Sequence, residues 1–328
     1  MERFAAFRLT EHDGVTTGTL TTLSLDDLSP GNVVIRCAYS SVNYKDALAG
    51  TGSGKVVRRF PLVGGVDAAG TVVSSDDARF TEGDAVIVTS FDLGVSHDGG
   101  YAAYLRVPGD WIVPLPAGLS LAESMAIGTA GFTAALSIEE MEHNGLTPAS
   151  GPVIVTGATG GVGCMAIQSL AARGYEVTAL TRKGGEAEFL RSLGAAQVLT
   201  YADVVMGTRP LEKATWAGAV DAVGGDILAW LTRTMRQGGS IASSGLTAGA
   251  ELHTTVMPFI LRGVKLLGID SAYCPMPVRR RVWARLATDL KPAHLDRTTI
   301  EIGLEQLPGA FDTLLHGGAR GRFRVRLP

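Results

Sequence analysis

The stretch VIVTGATGGVGCMAIQSLAARGYEVTALTRK, Val153–Lys183, decides the architecture. It opens on a β-branched apolar run, Val153–Thr156, that reads as a buried strand. Glycines follow at 157, 160, 161 and 163, and then a helix of small and apolar residues. A second strand, with its end at Thr181, closes the unit. Each glycine has a physical task. Gly157 permits the tight turn and Gly160 lets the backbone approach a pyrophosphate. Gly163 allows the helix to sit close on the strand, its first N–H groups facing the phosphates. With Ala158, Thr159, Gly161 and Val162 they form a candidate dinucleotide cradle. An isolated glycine pattern is weak evidence; a strand before it, a helix after it and a second strand beyond make it specific.

The end of that second strand selects the cofactor. A site for the non-phosphorylated dinucleotide usually carries Asp or Glu there, to hold the ribose 2′-hydroxyl. Here stand Thr181, Arg182 and Lys183. One hydroxyl and two cations suit a 2′-phosphate, and no carboxylate opposes it. The expected cofactor is NADPH.

On both sides of this unit the hydrophobic period changes. Upstream, "NVVIRCAYSSV", "GGVDAAGTVV", "DAVIVTS", "GGYAAYLRVP" and "WIVPLP" are short apolar runs punctuated by Gly and Pro, as in a small barrel or sandwich. A helical period begins near "LSLAESMAIGTAGFTAALSIEEME", with Ser120 as N-cap and Glu123 as its box partner. Downstream, "WAGAVDAVGG" and "GGSIASSGL" are further buried strands, so the middle of the chain is built of βαβ units around a parallel sheet. "KLLGIDS" reads as another strand, and "PVRRRVWARLATDL" as an amphipathic helix with Val282, Leu286 and Leu290 on one face. The fold expected is α/β, a β-barrel-like domain joined to a doubly wound parallel sheet. The boundaries expected are 1–122, 123–262 and 263–328, the last segment completing the sheet and returning to the first domain.

Length and composition agree. At 328 residues two domains are the default. A formal charge of −3 argues against a nucleic-acid binder. Three scattered cysteines fit reduced thiols in a cytoplasmic setting. The N-terminus carries charges at Glu2, Arg3 and Arg8 where a signal peptide would be apolar, and no stretch reads as a membrane span. The six histidines show no metal-ligand spacing, so no metal is expected.

Together "GGVDAAGTV", "EGDAVIV" and the A-x-G-G-V-G turn resemble the medium-chain dehydrogenase/reductase superfamily, with its GroES-like β domain. "SSVNYKDALAG", "AIGTAGFTAALS", "RPLEKATWAGAVDAVGG" and "TTVMPFILRGVKLLGIDS" are similar to the YhdH/YhfP-type quinone oxidoreductases, the branch that includes acryloyl-CoA reductase. The similarity spans essentially the whole chain. In the zinc alcohol dehydrogenases of the superfamily a Cys-His-x-Asp turn stands where this chain has Asn43-Tyr44-Lys45-Asp46. Their ligating His lies in a Gly-His-Glu segment, matched here by Gly65-Val66-Asp67, and the remaining Cys corresponds roughly to Thr129. The resemblance therefore implies a zinc-free reductase, because Asn, Tyr and Thr cannot replace a thiolate for Zn²⁺.

It also implies roles for further residues. Asn43 and Tyr44 are the candidate catalytic pair, supplying polar contacts to an enolate formed when hydride reaches an activated C=C. Lys45 or Asp46 is expected to orient their turn, and the mainly structural role that the superfamily's equivalent Asp has is the one favoured for Asp46. Thr129 and Thr133 are expected at the nicotinamide end or its ribose, with backbone groups of Ser244, Gly245, Leu246, Ile269 and Asp270 on the carboxamide, and Arg322 near the cofactor. Asp221 reads equally as a structural residue or a ribose contact. The substrate expected is a small molecule, acryloyl-CoA first and a quinone or other activated alkene second. For the thioester, Lys55, Arg58, Arg59 and Arg279–Arg281 are candidate phosphate contacts. A non-catalytic NADPH-binding protein is the third reading. A homodimer, joined at a sheet edge such as "KLLGIDS", is expected by analogy.

Overall fold

The computed structural model describes residues 3–328, which divide into two compact units. One comprises the described residues through Thr129 with Ala272–Arg281 and Leu295–Pro328; the other comprises Ala130–Ser271 and Val282–His294. The first division therefore falls at Thr129 and not at 122, inside a helix whose continuous apolar period conceals it. The segment from 263 to 271 stays with the second unit.

The first unit opens with strands β1 (Phe4–His12), β2 (Val15–Leu23), β3 (Val33–Val42), β4 (Leu62–Val63), β5 (Asp67–Ser75), β6 (Ala85–Thr89), β7 (Tyr104–Val107) and β8 (Ile112–Pro114). The second contributes β9 (Val153–Thr156), β10 (Val177–Thr181), β11 (Gln197–Thr200), β12 (Trp216–Asp221), β13 (Met235–Ser243) and β14 (Lys265–Gly268). Strands β15 (Thr299–Ile302) and β16 (Arg322–Arg326) complete the first unit.

In the first unit a seven-stranded sheet runs β15-β16-β3-β5-β6-β8, with β7 also paired to β3, and a three-stranded sheet runs β2-β1-β4. The second unit holds one sheet, in the order β11-β10-β9-β12-β13-β14. All of its pairs are parallel. Counted within the sheet, that order is 3-2-1-4-5-6, the doubly wound arrangement whose strand order reverses between the first and fourth strands. Those two are β9 and β12, so the glycine turn leaves the sheet at its switch point.

Burial explains the strand types. Every residue of β9 and β10 is buried, as parallel strands covered on both faces require. Strand β2, by contrast, is exposed at most of its positions. In the first unit Phe7, Ile35, Val72, Leu105 and Phe311 share one apolar core. In the second, Ile154, Leu180, Trp230 and Ile241 share another. The helix reaching Leu286 buries Val282, Trp283 and Leu286, with Trp283 stacked on Phe132 at 6.0 Å between ring centres.

Helices α1 (Tyr44–Thr51), α2 (Leu121–His143) and α3 (Gly161–Ala172) carry the candidate site residues. Ser120 and Glu123 form the expected N-terminal box: the Glu123 carboxylate accepts the Ser120 N–H at 2.9 Å, and the Glu123 N–H returns to Ser120 Oγ at 3.1 Å. One expectation needs correction. Helix α2 is long and apolar enough to cross a membrane by composition, although 78% of that window is buried inside the protein.

Candidate active site

The turn that leads from β3 into α1 is built by its own side chains. The Asp46 carboxylate accepts the Asn43 backbone N–H at 2.8 Å, capping the helix, and the Val66 N–H at 2.9 Å, tying the helix to the start of β5. Asn43 was expected to face a ligand; its amide is instead engaged inside the protein. The Asn43 Nδ2 donates to Asp67 at 2.8 Å and Asp46 at 3.2 Å, while Oδ1 accepts from Arg322 at 2.8 Å. Tyr44 is different, standing 40% exposed at the first position of α1.

Asp67 is the centre of this group. Four donors converge on its fully buried carboxylate: Ser41 Oγ at 2.5 Å, Asn43 Nδ2 at 2.8 Å, the Thr129 N–H at 2.9 Å and Thr129 Oγ1 at 2.5 Å. Sequence matching set Val66 opposite the family's ligating His, but it is the next residue that meets Asn43 and Thr129.

A break in α2 brings Thr129 there. At Gly128 the backbone takes φ 51°, ψ −162°, a combination essentially restricted to glycine, and the helix restarts beyond it. The Thr129 N–H at that restart aims at Asp67. A Cβ at position 128 would collide with Arg322, Ser41 and Asp67 together. Glycine is thus required twice over, by the dihedrals and by the space.

Arg322, expected beside the cofactor, lies 4% exposed behind this cluster. Its guanidinium donates to Ser41 Oγ at 2.8 Å, Asn43 Oδ1 at 2.8 Å, Ala126 O at 3.3 Å and Val42 O at 3.4 Å. All of these partners belong to the first unit, so its role there is to organise the turn. Burial pulls the Arg322 pKa down against the opposing pull of Asp67 and Asp46. Burial, reinforced by the Asp67 charge, pushes the Asp46 carboxyl up to about 7 despite its three N–H donors. The Tyr101 phenol, fully buried and donating to Ser41 O at 3.1 Å, is pushed well above its usual range by burial first and the two carboxyls next.

In the second unit the glycine turn has the geometry a dinucleotide requires. Gly157 takes φ 59°, Gly160 N–H closes the turn on Gly157 O at 2.9 Å, and Gly160 caps α3. A Cβ on Gly163 would stand 2.5 Å from Gly157 O and 2.7 Å from Ala158 Cα. Ala158 is buried and tied to β10 through Leu180 O, Thr159 is buried, and Gly161 and Val162 are half-buried at the first turn of α3. At the end of β10, Thr181 is buried with Oγ1 accepting the Lys183 N–H at 3.0 Å; Arg182 is exposed and Lys183 half-buried.

Asp221, at the end of β12, serves the backbone. Its carboxylate accepts Thr156 Oγ1 at 2.6 Å, the Gly224 N–H at 3.0 Å and the Val223 N–H at 3.3 Å. Ser244 N–H bonds Asp221 O and Ile269 N–H bonds Ser243 O, which sets Ser244–Leu246 and Ile269–Asp270 beyond the ends of β13 and β14. Thr133 donates to Ser271 Oγ at 2.8 Å. Sequence reasoning passed over Ser41, Ser90, Tyr101 and Tyr201. Tyr201 is half-buried, its phenol pushed up by burial and pulled back by the Arg182 charge; an aromatic just after a strand was its only signal.

Arg279 leaves the group of candidate phosphate contacts. It is 0% exposed, bonded to Thr89 O and Oγ1 and to Ala272 O, with its guanidinium 4.4 Å over the Phe91 ring. Arg59 is partly committed, at 2.6 Å from Ser29 Oγ and 3.3 Å from Asp98. Lys55, Arg58, Arg280 and Arg281 are exposed.

Residues 29–117 match the family described as alcohol dehydrogenase GroES-like domain, and residues 161–288 the family described as zinc-binding dehydrogenase. Among the described residues no three His, Cys, Asp or Glu are grouped to hold a metal ion. The putative quinone oxidoreductase YhfP of Bacillus subtilis is 55% identical over 93% of each chain. Its crystal structure with NAD bound superposes with a TM-score of 0.97 over 100% of both chains. The acrylyl-CoA reductase AcuI of Ruegeria pomeroyi is 47% identical over 96% of each. The yhdH oxidoreductase of Salmonella enterica, crystallised with NADP, is 44% identical, with a TM-score of 0.96 over 99% of this chain and 100% of that one.

Proposed function

Because the chain belongs to the zinc-free quinone oxidoreductase and acryloyl-CoA reductase branch of the medium-chain dehydrogenase/reductase superfamily, we propose that it uses NADPH to reduce an activated C=C bond, acryloyl-CoA to propionyl-CoA before other substrates. NADPH, when bound, supplies the hydride for the β-carbon. The glycine turn fits its pyrophosphate, since a Cβ at 163 would fill the cradle. The exposed Arg182 and neighbouring Lys183 suit a 2′-phosphate. That choice departs from the B. subtilis relative crystallised with NAD and follows the yhdH oxidoreductase crystallised with NADP.

The observation that carries the substrate class is the mutual saturation of Ser41, Asn43, Asp67, Thr129 and Arg322. Donors committed to one another supply no strong electrophile for an isolated ketone. A conjugated alkene has less need of one, because its charge spreads into an enolate that a hydrogen-bond donor can hold. Tyr44, exposed at the start of α1 and carrying a phenolic O–H that can donate, is the donor we assign; Asn43 holds its turn.

A quinone is the second reading, favoured by the name of the 55% identical relative and by the burial of Arg279, which leaves fewer cations for a phosphorylated thioester. Initial rates of NADPH oxidation with acryloyl-CoA and with a soluble quinone decide between them. A thioester preference of orders of magnitude supports the first reading, and parity or a quinone preference overturns it. The chain further acts as a cytoplasmic homodimer in this reading. Val256, Ile260 and Leu261 are exposed just ahead of β14, the last strand of its sheet, and gel filtration tests that assembly.

A further inference from the structure

Three residues other than glycine have a left-handed φ among the described residues, and two of them are consecutive: Ser90 at 64° and Phe91 at 51°. The third, Asp13, sits in the exposed hairpin turn between β1 and β2, where such a residue is ordinary. Ser90 and Phe91 instead follow β6 in the first unit, Ser90 buried and Phe91 half-buried. Glycine would take these dihedrals without strain. Side chains at both positions imply that both are used, since strained backbone persists where the surroundings over-determine it.

Phe91 has a packing use. Its ring lies parallel to Trp111 at 5.4 Å and under the Arg279 guanidinium at 4.4 Å. Ser90 has a different one. Its N–H is held by Val66 O at 2.7 Å, one residue before Asp67, and its Oγ lies 3.0 Å from Thr129 Oγ1. The direction of this last bond follows from proton counting. Thr129 has one hydroxyl proton, and it goes to the Asp67 carboxylate at 2.5 Å. Ser90 must therefore donate and Thr129 accept. The hydroxyls run in one sense, Ser90 to Thr129 to Asp67. Ser90 is 4% exposed, whereas Thr129 is half-buried and forms the accessible end of the series.

We propose that Ser90 is a positioning residue of the reductase: held in a strained backbone, it fixes the Thr129 hydroxyl and acts on the reaction only through it. The proposal rests on the reading of the protein as an NADPH-dependent reductase. It also gives Thr129 a polarity. With its proton committed to Asp67, the hydroxyl cannot donate to a substrate oxygen, which leaves that task to Tyr44.

The test pairs Ser90→Gly with Thr129→Val, singly and together, following kcat and KM for NADPH oxidation with acryloyl-CoA or a quinone alongside urea denaturation. Glycine relieves the strain and deletes the hydroxyl. The expected S90G variant keeps a denaturation midpoint at or above that of the parent while kcat/KM falls about tenfold, the scale of one lost hydrogen bond. In the T129V background the same change costs nothing further, and Thr129→Ser retains the sensitivity to Ser90. Wild-type turnover in S90G, or losses that multiply in the double variant, would overturn the proposal. A purely structural role would lower the midpoint and leave the coupling to Thr129 at zero. A wild-type enzyme that oxidises NADPH with neither acceptor refutes the reductase reading itself, and this proposal with it.

Discussion

Replacing Gly128 by Ala tests whether the buried cluster is held as tightly as its geometry indicates. The backbone at φ 51°, ψ −162° costs an alanine about 1–3 kcal/mol. The new methyl also lands among the Arg322 guanidinium, Ser41 Oγ and the Asp67 carboxylate. None of these can move alone, because Arg322 holds Asn43 and Ser41 while Asp67 holds Thr129. Losing even one hydrogen bond to a buried charge adds about 1.5–3 kcal/mol. The sum is about 4 kcal/mol, a large part of the roughly 5–15 kcal/mol that holds a folded protein together. Gly83→Ala is the control, since Gly83 has φ 96° with nothing within 4 Å of a built Cβ; it should cost only about 1–2 kcal/mol. Urea denaturation followed by Trp fluorescence and far-UV circular dichroism measures both. A G128A loss within about 1 kcal/mol of the G83A loss would refute the reasoning, for the cluster would then have yielded at no cost.

Tyr44→Phe should lower kcat by about tenfold or more with little change in denaturation midpoint, because its ring is 40% exposed and its hydroxyl is the assigned donor; steady-state kinetics at native stability check it, and unchanged turnover removes Tyr44 from the chemistry. Arg182→Glu should raise the Kd for NADPH by about 10- to 100-fold and leave NADH nearly unaffected, the scale of one charge-assisted bond to phosphate; fluorescence titration with both dinucleotides reads it, and equal losses for the two would refute the assignment. Asp46 has its pKa raised from 3.8 to about 7 by burial first and by Asp67 second, so the folded chain keeps a proton that the unfolded chain releases. Its stabilising contribution is complete below pH 4 and is lost as the pH rises through 7, at up to about 1.4 kcal/mol per unit. The stability gap between wild type and Asp46→Asn should therefore shift by about 2 kcal/mol in favour of the variant between pH 5 and 8, and a constant gap would contradict the shift.

What sequence alone could convey differs between the units for a physical reason. The dinucleotide cradle is local: strand, glycines and helix are contiguous, so Val153–Thr156 and the tasks of Gly157 and Gly163 are readable from spacing. The cluster around Asp67 is assembled from β3, β5, α2 and β16, which no single period connects. A carboxylate inside the apolar run "GGVDAAGTVV" was a signal, because a buried acid needs donors, but nothing nearby in the chain supplies them. The break at Gly128 hides in a helical pattern that continues on both sides of it. The burial of Arg279 was legible, although the residue reads as a candidate phosphate contact: it stands three residues before Val282 and seven before Leu286, on the same helical face as those buried residues. A basic run reads as solvated only until its positions are set against the period.

The charge balance of the cluster connects its architecture with the proposed chemistry. Two buried carboxyls, Asp46 and Asp67, face one buried guanidinium, Arg322, whose closest approach to Asp67 Oδ2 is 3.9 Å. The contact between them is mostly indirect, carried by Ser41, which accepts from the guanidinium and donates to the carboxylate. Burial first, and the neighbouring Asp67 charge second, push the Asp46 carboxyl up to about 7, so that it takes up a proton near neutrality. An arrangement of this kind fixes the turn, β5 and the Thr129 backbone with respect to one another. It does so with groups already bonded to each other, so it can hold Tyr44 in place but offers no charge of its own to a reacting oxygen. The reaction assigned to the chain therefore has to be one that spreads its developing charge within the substrate, as addition of hydride to a conjugated alkene does.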